Sequence, residues 1–432
     1  MITFEEEEKT TVELQPIATI KVIGVGGAGN NIVNSMIETN TQGIEYIVAN
    51  TDAQALQLSK ADTKIQLGVK LTKGLGSGAN PEVGRRAAEE DLDKIMDCVQ
   101  DADIVFLTGG MGGGTGSGAL AVIAKALKEQ GILTVSIVTK PFIFEGKRRS
   151  NIAEVAVSEL KKQVDTLLVL PNQKLLDVAG QDVSMLDAFS MINEVLNQSV
   201  RGISEIITKP GHINVDFADL KAIMKDMGMA VMGTGKASGQ DRARKAAIDA
   251  ISSPLLESMS IKGARGVLLN IIGGPSLGLH EINQAASVVY EQAAEDANII
   301  IGSVINQELN EEVIVTIVAT GFSEEEQEEI QVQACKLDFA PQGNGDDKER
   351  PAQQPTTEQP TVERPEAERP EETPQETPEP EQPTVEEPET DVEPAKEEPH
   401  EDCSEEKREC VDVNDLDVPA YLRKEQEEEM HE

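Results

Sequence analysis

Between Thr108 and Gly118 the chain runs Thr-Gly-Gly-Met-Gly-Gly-Gly-Thr-Gly-Ser-Gly. The apolar run Ile104–Leu107 before it reads as a buried strand, and Ala119–Gln130 after it reads as a helix. Each glycine costs chain entropy on ordering, so this many need a reason. Without side chains, backbone N–H groups can close around an anion, and the helix start behind them adds unpaired donors and a positive dipole end. Thr115 and Ser117 offer hydroxyls that can reach a phosphate oxygen or a metal-bound water. The loop has no G-x-x-x-x-G-K-[ST] lysine, so it is not a P-loop. A tight turn would need only one or two glycines, and phosphate binding is the better reading.

A second glycine-rich turn, Gly24-Val25-Gly26-Gly27-Ala28-Gly29-Asn30-Asn31, also separates a strand from a helix. Alone it is a dinucleotide fingerprint with Asp52 or Glu45 as the ribose acid, which would make the chain an NAD-type oxidoreductase. That reading leaves the richer loop unexplained. Two such loops at neighbouring strand ends fit one nucleoside polyphosphate gripped from two sides. A third loop, Gly74-Leu75-Gly76-Ser77-Gly78-Ala79-Asn80, precedes another helix, and a flexible surface loop explains it equally well. In Asn214-Val215-Asp216-Phe217-Ala218-Asp219, the two carboxylates read locally as a capping pair for a helix over Leu220–Met227.

The elements that position these groups alternate. Strands are expected at Ile17–Val25, Ile44–Ala49, Ile104–Leu107, Leu133–Val138 and Thr166–Leu170. Helices are expected at Asn31–Glu38, Pro81–Val99, Ala119–Gln130 and Ile152–Gln163. The alternation predicts an α/β fold, a Rossmann-like parallel sheet with helices on both faces and ligands at the strands' carboxyl ends. Apolar residues at helical spacing from Val183 to about Ile207 predict one long central helix, stopped by Lys209-Pro210-Gly211. A smaller α+β lobe follows, with helices Asp241–Ile251 and Gly278–Ala294 and strands Gly266–Ile272, Asn298–Ile305 and Glu312–Ala319. Gly233-Thr234-Gly235 and Gly273-Gly274-Pro275 read there as ordinary turns. The expected division is an arm 1–16, a nucleotide-binding domain 17–182, the central helix 183–207, a C-terminal domain 208–322, a linker 323–412 and a terminal peptide 413–432.

Of the formal net charge of −40 over 432 residues, −23 falls in residues 341–432, which also hold 14 of the 21 prolines. From Gln342 to about Val411 there is too little apolar surface to offset ordering, so a disordered, self-repelling tether is expected. An acidic chain is unsuited to nonspecific nucleic-acid binding. Cys98, Cys335, Cys403 and Cys410 form neither a metal spacing nor a disulfide frame. The N-terminus resembles no signal peptide and no apolar run has the length of a membrane span, so a soluble cytoplasmic protein without direct membrane insertion is expected.

The loop Gly112–Gly118, the turn at Gly24–Gly29 and the Asn214–Asp219 string together resemble the FtsZ family, bacterial cell-division relatives of tubulin, over roughly residues 17–322. The resemblance resumes at Asp415–Lys424. It implies a GTPase that polymerises head to tail and forms the cytokinetic ring scaffold at midcell, with GTP/GDP as ligand and Mg2+ held mainly through phosphates and water. Gly26, Gly27, Gly112, Gly113, Gly114, Thr115 and Gly116 would contact phosphates. Gly78, Ala79 and Asn80 would face the terminal phosphate, with Asp52 near the phosphate and magnesium region. Glu145 would bond ribose hydroxyls and Arg149 would pair with phosphate. Asn31 and Phe189 would meet guanine, with Asn193 where many relatives have Asp. Asn214, Asp216 and Asp219 would enter the next subunit's pocket, where the two carboxylates position the attacking water. Asp415–Lys424 would dock on the membrane tether FtsA and other division proteins. A nucleotide-dependent structural relative without useful hydrolysis stays open beside this reading.

Overall fold

Val, Ile and Leu at consecutive positions are accommodated in a sheet covered on both faces, and all six residues of Ile20–Val25 are buried. A computed structural model of the protein describes residues 18–39, 43–179, 183–209, 211, 213, 215–253, 261–307 and 309–323. The expected N-terminal arm, Asn214, nearly all of the linker and the whole terminal peptide lie outside these residues.

The described elements in chain order are β1 Ile20–Val25, α1 Gly26–Glu38, β2 Ile44–Asn50, α2 Ala53–Gln57, β3 Thr63–Gln66, α3 Val69–Thr72, α4 Pro81–Glu90, α5 Leu92–Asp97, β4 Ile104–Gly110, α6 Thr115–Glu129 and β5 Leu133–Lys140. There follow α7 Lys147–Lys161, β6 Thr166–Pro171, α8 Asn172–Ala179, α9 Met185–Thr208, α10 Phe217–Met224, β7 Gly228–Ser238, α11 Arg242–Ile251, β8 Gly266–Gly273, α12 Leu279–Tyr290, β9 Asn298–Ile305 and β10 Glu312–Thr320.

Among the described residues, ten strands form one sheet in the order β3-β2-β1-β4-β5-β6-β7-β10-β8-β9. The first six are parallel neighbours in the doubly wound order, and the strand order reverses between β1 and β4. β6 joins β7 through only three register pairs, from Thr166↔Gly228 to Leu168↔Ala230. Beyond this seam β10 lies antiparallel between β7 and β8, and β9 runs parallel to β8 at the edge. Buried apolar residues divide into two clusters, one per face. Val22 and Ile23 fall in different clusters, as the two-residue period of a strand requires. α9 supplies Leu196, Val200, Ile203 and Ile207 to one of them.

The structure moves several expected boundaries. α1 starts at Gly26 and α6 at Thr115, so each helix takes up glycines assigned to its preceding loop. The single helix expected over Pro81–Val99 is two, broken at Asp91. The Asp91 carboxylate accepts the Gly68 N–H at 2.7 Å and pairs with Lys94 at 2.6 Å, and its backbone leaves helical geometry. Gly233-Thr234-Gly235 is not a turn but the middle of β7, in register with β10. A β-carbon on Gly235 would stand 2.0 Å from the Ala246 carbonyl oxygen, so this glycine lets α11 press directly on the sheet. Among the described residues, no helix is long and apolar enough to cross a membrane.

Candidate functional site

A cleft of about 370 Å³ opens at the carboxyl ends of β1 and β4, where the strand order reverses. Gly26, Gly27 and Asn31 of α1 line it, together with Gly113, Gly114, Thr115 and Gly116 around the start of α6. Glu145, in the turn ahead of α7, and Arg149, in the first turn of α7, line it too, with Phe189 and Asn193 from α9. Neither α1 nor α6 has a side-chain cap at its N-terminus. Two sets of first-turn N–H donors and two positive dipole ends therefore meet at one cleft.

The glycines divide into two groups by what a side chain would meet. A β-carbon on Gly27 or Gly113 would meet nothing within 4 Å. These two leave backbone bare on the cleft wall. Elsewhere the glycines permit close contact. A β-carbon on Gly24 would stand 2.4 Å from the Gly29 carbonyl oxygen, and one on Gly118 would stand 2.0 Å from that of Pro81. Much of the glycine excess thus serves helix docking, which the sequence reading assigned to the anion.

The hydroxyls also separate. Thr115 Oγ1 is 2.7 Å from Thr51 Oγ1 and 3.1 Å from Ser77 Oγ, forming a hydroxyl trio from three loops. Ser117, expected to reach a phosphate, instead accepts the Gly112 N–H at 2.9 Å and is buried. It staples its own loop and does not line the cleft.

Five further expected contacts, Asp52, Gly78, Ala79, Asn80 and Gly112, do not line the cleft. Asp52 caps α2, accepting the N–H groups of Gln54 and Ala55 at 2.9 and 3.2 Å. Asn80 caps α4 by accepting the Glu82 N–H at 3.0 Å. Gly78 and Ala79 hold left-handed φ values of +59° and +56°, and their loop presents Ser77 to the cleft. Gly112, at φ +95°, brings its loop against the Arg149 backbone.

Ahead of α7, Glu145 Oε2 accepts from Arg149 Nη1 and Oε1 accepts the Phe142 N–H at 3.0 Å. Phe189 meets the buried Phe142 ring edge-on at 5.6 Å, leaving its own ring half-exposed beside the cleft. Ser77, Gly110, Met111, Thr139 and Asn172 line the cleft without having been picked out from sequence. The Asn172 Oδ1 is buried and has no hydrogen-bond partner. Asn172 follows Pro171 at the carboxyl end of β6, and that strand-end position is the one sequence signal for it.

Asp216 and Asp219 are exposed at the start of α10 and neither lines the cleft. Asp216 occupies the N-cap position, but its side chain makes no capping hydrogen bond. The expected capping pair is therefore corrected: the turn closes through backbone, with the Asp219 N–H bonded to the Asp216 carbonyl at 3.1 Å. Among the described residues, no three His, Cys, Asp or Glu side chains group to hold a metal.

The acids and bases displaced from their ordinary values stand away from the cleft, in ion pairs that hold the frame. Burial raises the Asp91 pKa, but Lys94 and the Gly68 N–H outweigh it and hold the carboxyl below the usual range. Arg242 holds Glu281 down in the same way, joining α11 to α12 at 2.7 Å. Burial opposes the charge on Lys21, yet Asp101 and Glu45 raise its pKa.

Residues 19–180 match the family description "Tubulin/FtsZ family, GTPase domain", and residues 228–323 match "FtsZ family, C-terminal domain". The chain is similar to an FtsZ dimer, empty, from M. jannaschii, at 43% identity and a TM-score of 0.68, over 70% of this chain and 88% of that one. It shares its fold with CetZ2 from Haloferax volcanii, a GTPgS-bound protofilament, at 20% identity and a TM-score of 0.62, over 74% of this chain and 98% of that one. CetZ1 from the same organism, a GDP-bound monomer, has 23% identity and a TM-score of 0.61, over 74% of this chain and 100% of that one.

Proposed function

Because the chain belongs to the FtsZ family of the tubulin/FtsZ superfamily, we propose that it binds and hydrolyses GTP and assembles head to tail into the filaments of the division ring. The observation that carries the nucleotide reading is the meeting of the α1 and α6 N-termini at one cleft, with Gly27 and Gly113 bare between them. Anions bind at such helix starts. The phosphates lie against Gly26, Gly27 and Gly113–Gly116, with Gly112 shaping that loop from behind, and loop Gly78–Asn80 faces the terminal phosphate through Ser77. Arg149 pairs with phosphate and Glu145 accepts from ribose hydroxyls.

Phe189 stacks on guanine, with Asn31 and Asn193 at its edge. Asn193 accepts a guanine N–H through its oxygen, a weaker match than a carboxylate, which can accept two.

Mg2+ in this site would be kept mainly by phosphates and water, as suits a small cation that gives up its water reluctantly. The Ser77 and Thr115 hydroxyls would hold its waters, with buried Thr51 orienting Thr115 from behind. Bound there, it neutralises phosphate charge.

The carboxylates of Asp216 and Asp219 act on the nucleotide of the next subunit, with Asn214 beside them. They orient the attacking water, and phosphoryl transfer depends mainly on such positioning and on charge stabilisation. What supports a site completed by a second copy is that both carboxylates are exposed and neither lines its own chain's cleft. A contact of this kind is heterologous and extends into an open filament. The terminal peptide Asp415–Lys424 binds the actin-like membrane tether on an acidic, proline-rich linker, which brings the filament to midcell in the cytoplasm. Deleting residues 413–432 leaves hydrolysis intact and abolishes recruitment.

Phosphate release from GTP, followed against protein concentration with pelleting in parallel, tests this reading. Specific activity that rises only above a threshold, with GTP-dependent pelleting, is the expected result. Activity independent of concentration would mean a self-contained site and would remove Asp216 and Asp219 from the chemistry.

A further inference from the structure

We propose that Glu205 is the positioning residue for the carboxylate loop, acting through Lys209. The inference rests on the shared-site reading above, in which Asp216 and Asp219 serve the neighbouring subunit.

Glu205 lies in the last turn of α9 and is 2% exposed. Its Oε1 accepts Lys209 Nζ at 2.7 Å and Arg201 Nη2 and Nε at 3.2 and 3.3 Å. An ion pair between residues four apart on an exposed helix face is an ordinary surface feature. Burying the carboxylate is not, because a buried charge must recover its lost hydration from its partners. An apolar residue would fill this position with no such demand.

What the buried carboxylate adds is control of the helix exit. Lys209 is the C-cap of α9, with extended φ and ψ of −96° and 130°. Its N–H still donates to the Glu205 carbonyl at 2.9 Å, while its ammonium reaches the Glu205 carboxylate. One residue thus holds Lys209 by backbone and by side chain, at the point where the chain turns out of the helix toward Asp216.

The same connection is held a second time downstream. The Ser303 N–H donates to the Ile213 carbonyl at 3.1 Å, in an antiparallel bridge to the edge strand β9. Val215 is 5% exposed, and a β-carbon on Gly302 would stand 3.3 Å from its Cγ2. The next residue is Asp216. Ile213 and Val215 are thus seated on β9 at one end of the connection, and Glu205 fixes Lys209 at the other. A small displacement of a catalytic group can cost about a hundredfold in rate, so a distant residue that fixes this exit is felt in turnover.

Mixed filaments test the role by its direction. One subunit carries Asp219→Ala, so it brings nucleotide and an inactive loop. The other carries Gly27→Asp, so it brings an intact loop and no nucleotide. Neither hydrolyses GTP well alone, and mixing restores activity at junctions of one orientation. Adding Glu205→Gln to the loop-donating subunit lowers the restored activity about tenfold to a hundredfold. Adding it to the nucleotide-donating subunit leaves restored activity within about twofold. Lys209→Gln in the loop donor reproduces the loss, Lys209→Arg does not, and Arg201→Gln, which leaves Lys209 in place, spares the restored activity. The Lys209 pair keeps the test independent of Glu205→Gln folding, and each variant's melting temperature and self-assembly are measured alongside. Equal losses in both placements, or no loss with Lys209→Gln, overturn the proposal. No restoration in the mixture lacking any change at 205 overturns the shared site, and this role with it.

Discussion

Gly84 of α4 lies against Gly114 at the start of α6, so close that a β-carbon on Gly84 would stand 2.3 Å from the Gly114 carbonyl oxygen. The same atom would lie 3.0 Å from the Thr115 Cα. Every one of these neighbours is backbone, so none can rotate away. Gly84 does not itself line the cleft.

Gly84→Ala should therefore shift the wall of the cleft. The expected cost is about 1–3 kcal/mol of stability, as for other overpacked sites, together with weaker nucleotide binding. Thermal unfolding without nucleotide and equilibrium binding measure the two parts. Unchanged melting and affinity would show that α4 and α6 part easily.

Gly27 offers the opposite case, since its missing β-carbon faces open space. Gly27→Ala should fold and keep the nucleotide. Gly27→Asp should also fold, yet lower affinity by about a hundredfold or more, from placing like charges a few ångström apart near the surface. Circular dichroism and nucleotide titration separate the two. Retained affinity in the aspartate variant would mean that phosphates do not pass this point.

Asp219→Ala should leave nucleotide affinity and GTP-dependent pelleting near normal. Turnover should fall about 10²–10⁴-fold, the usual contribution of a positioned acid–base group. Turnover at the normal rate would rule out the catalytic assignment.

Acid stability should depend on Asp91. Its carboxyl pKa is depressed in the folded protein, with Lys94 and Gly68 outweighing burial. The stabilisation is then complete above the unfolded carboxylate range near about 4, and is lost as pH falls through the lower folded value. Asp91→Asn should melt lower at neutral pH and lose part of the stability drop below pH of about 4. Parallel pH–melting curves for the two proteins would contradict this.

The walls of the cleft were legible in sequence because glycine runs after apolar strands have few alternative uses. Gly26, Gly27 and Gly113–Gly116 line it. What escaped was pairing between distant segments. Thr51 and Ser77 meet Thr115 only once three loops converge, and no local pattern announces that trio. Gly235 looked like a turn because its reason, the approach of α11, lies in another element. The break at Asp91 was hidden for the same cause, since its partner Gly68 precedes it by 23 residues. Thr115 and Ser117 carry equivalent chemistry two positions apart, and only the folded loop shows that Ser117 turns inward.

The pairing of Glu145 with Arg149 has a consequence for which solutes the cleft admits. With a carboxylate already beside it, the guanidinium does not offer a bare positive charge to the surroundings. A simple anion such as chloride or free phosphate meets Arg149 with the Glu145 carboxylate beside it, and that negative charge opposes its approach. A ligand bearing both an anion and hydroxyl donors compensates both halves at once. The pair in this way favours a molecule that joins a sugar to its phosphates over a small bare anion.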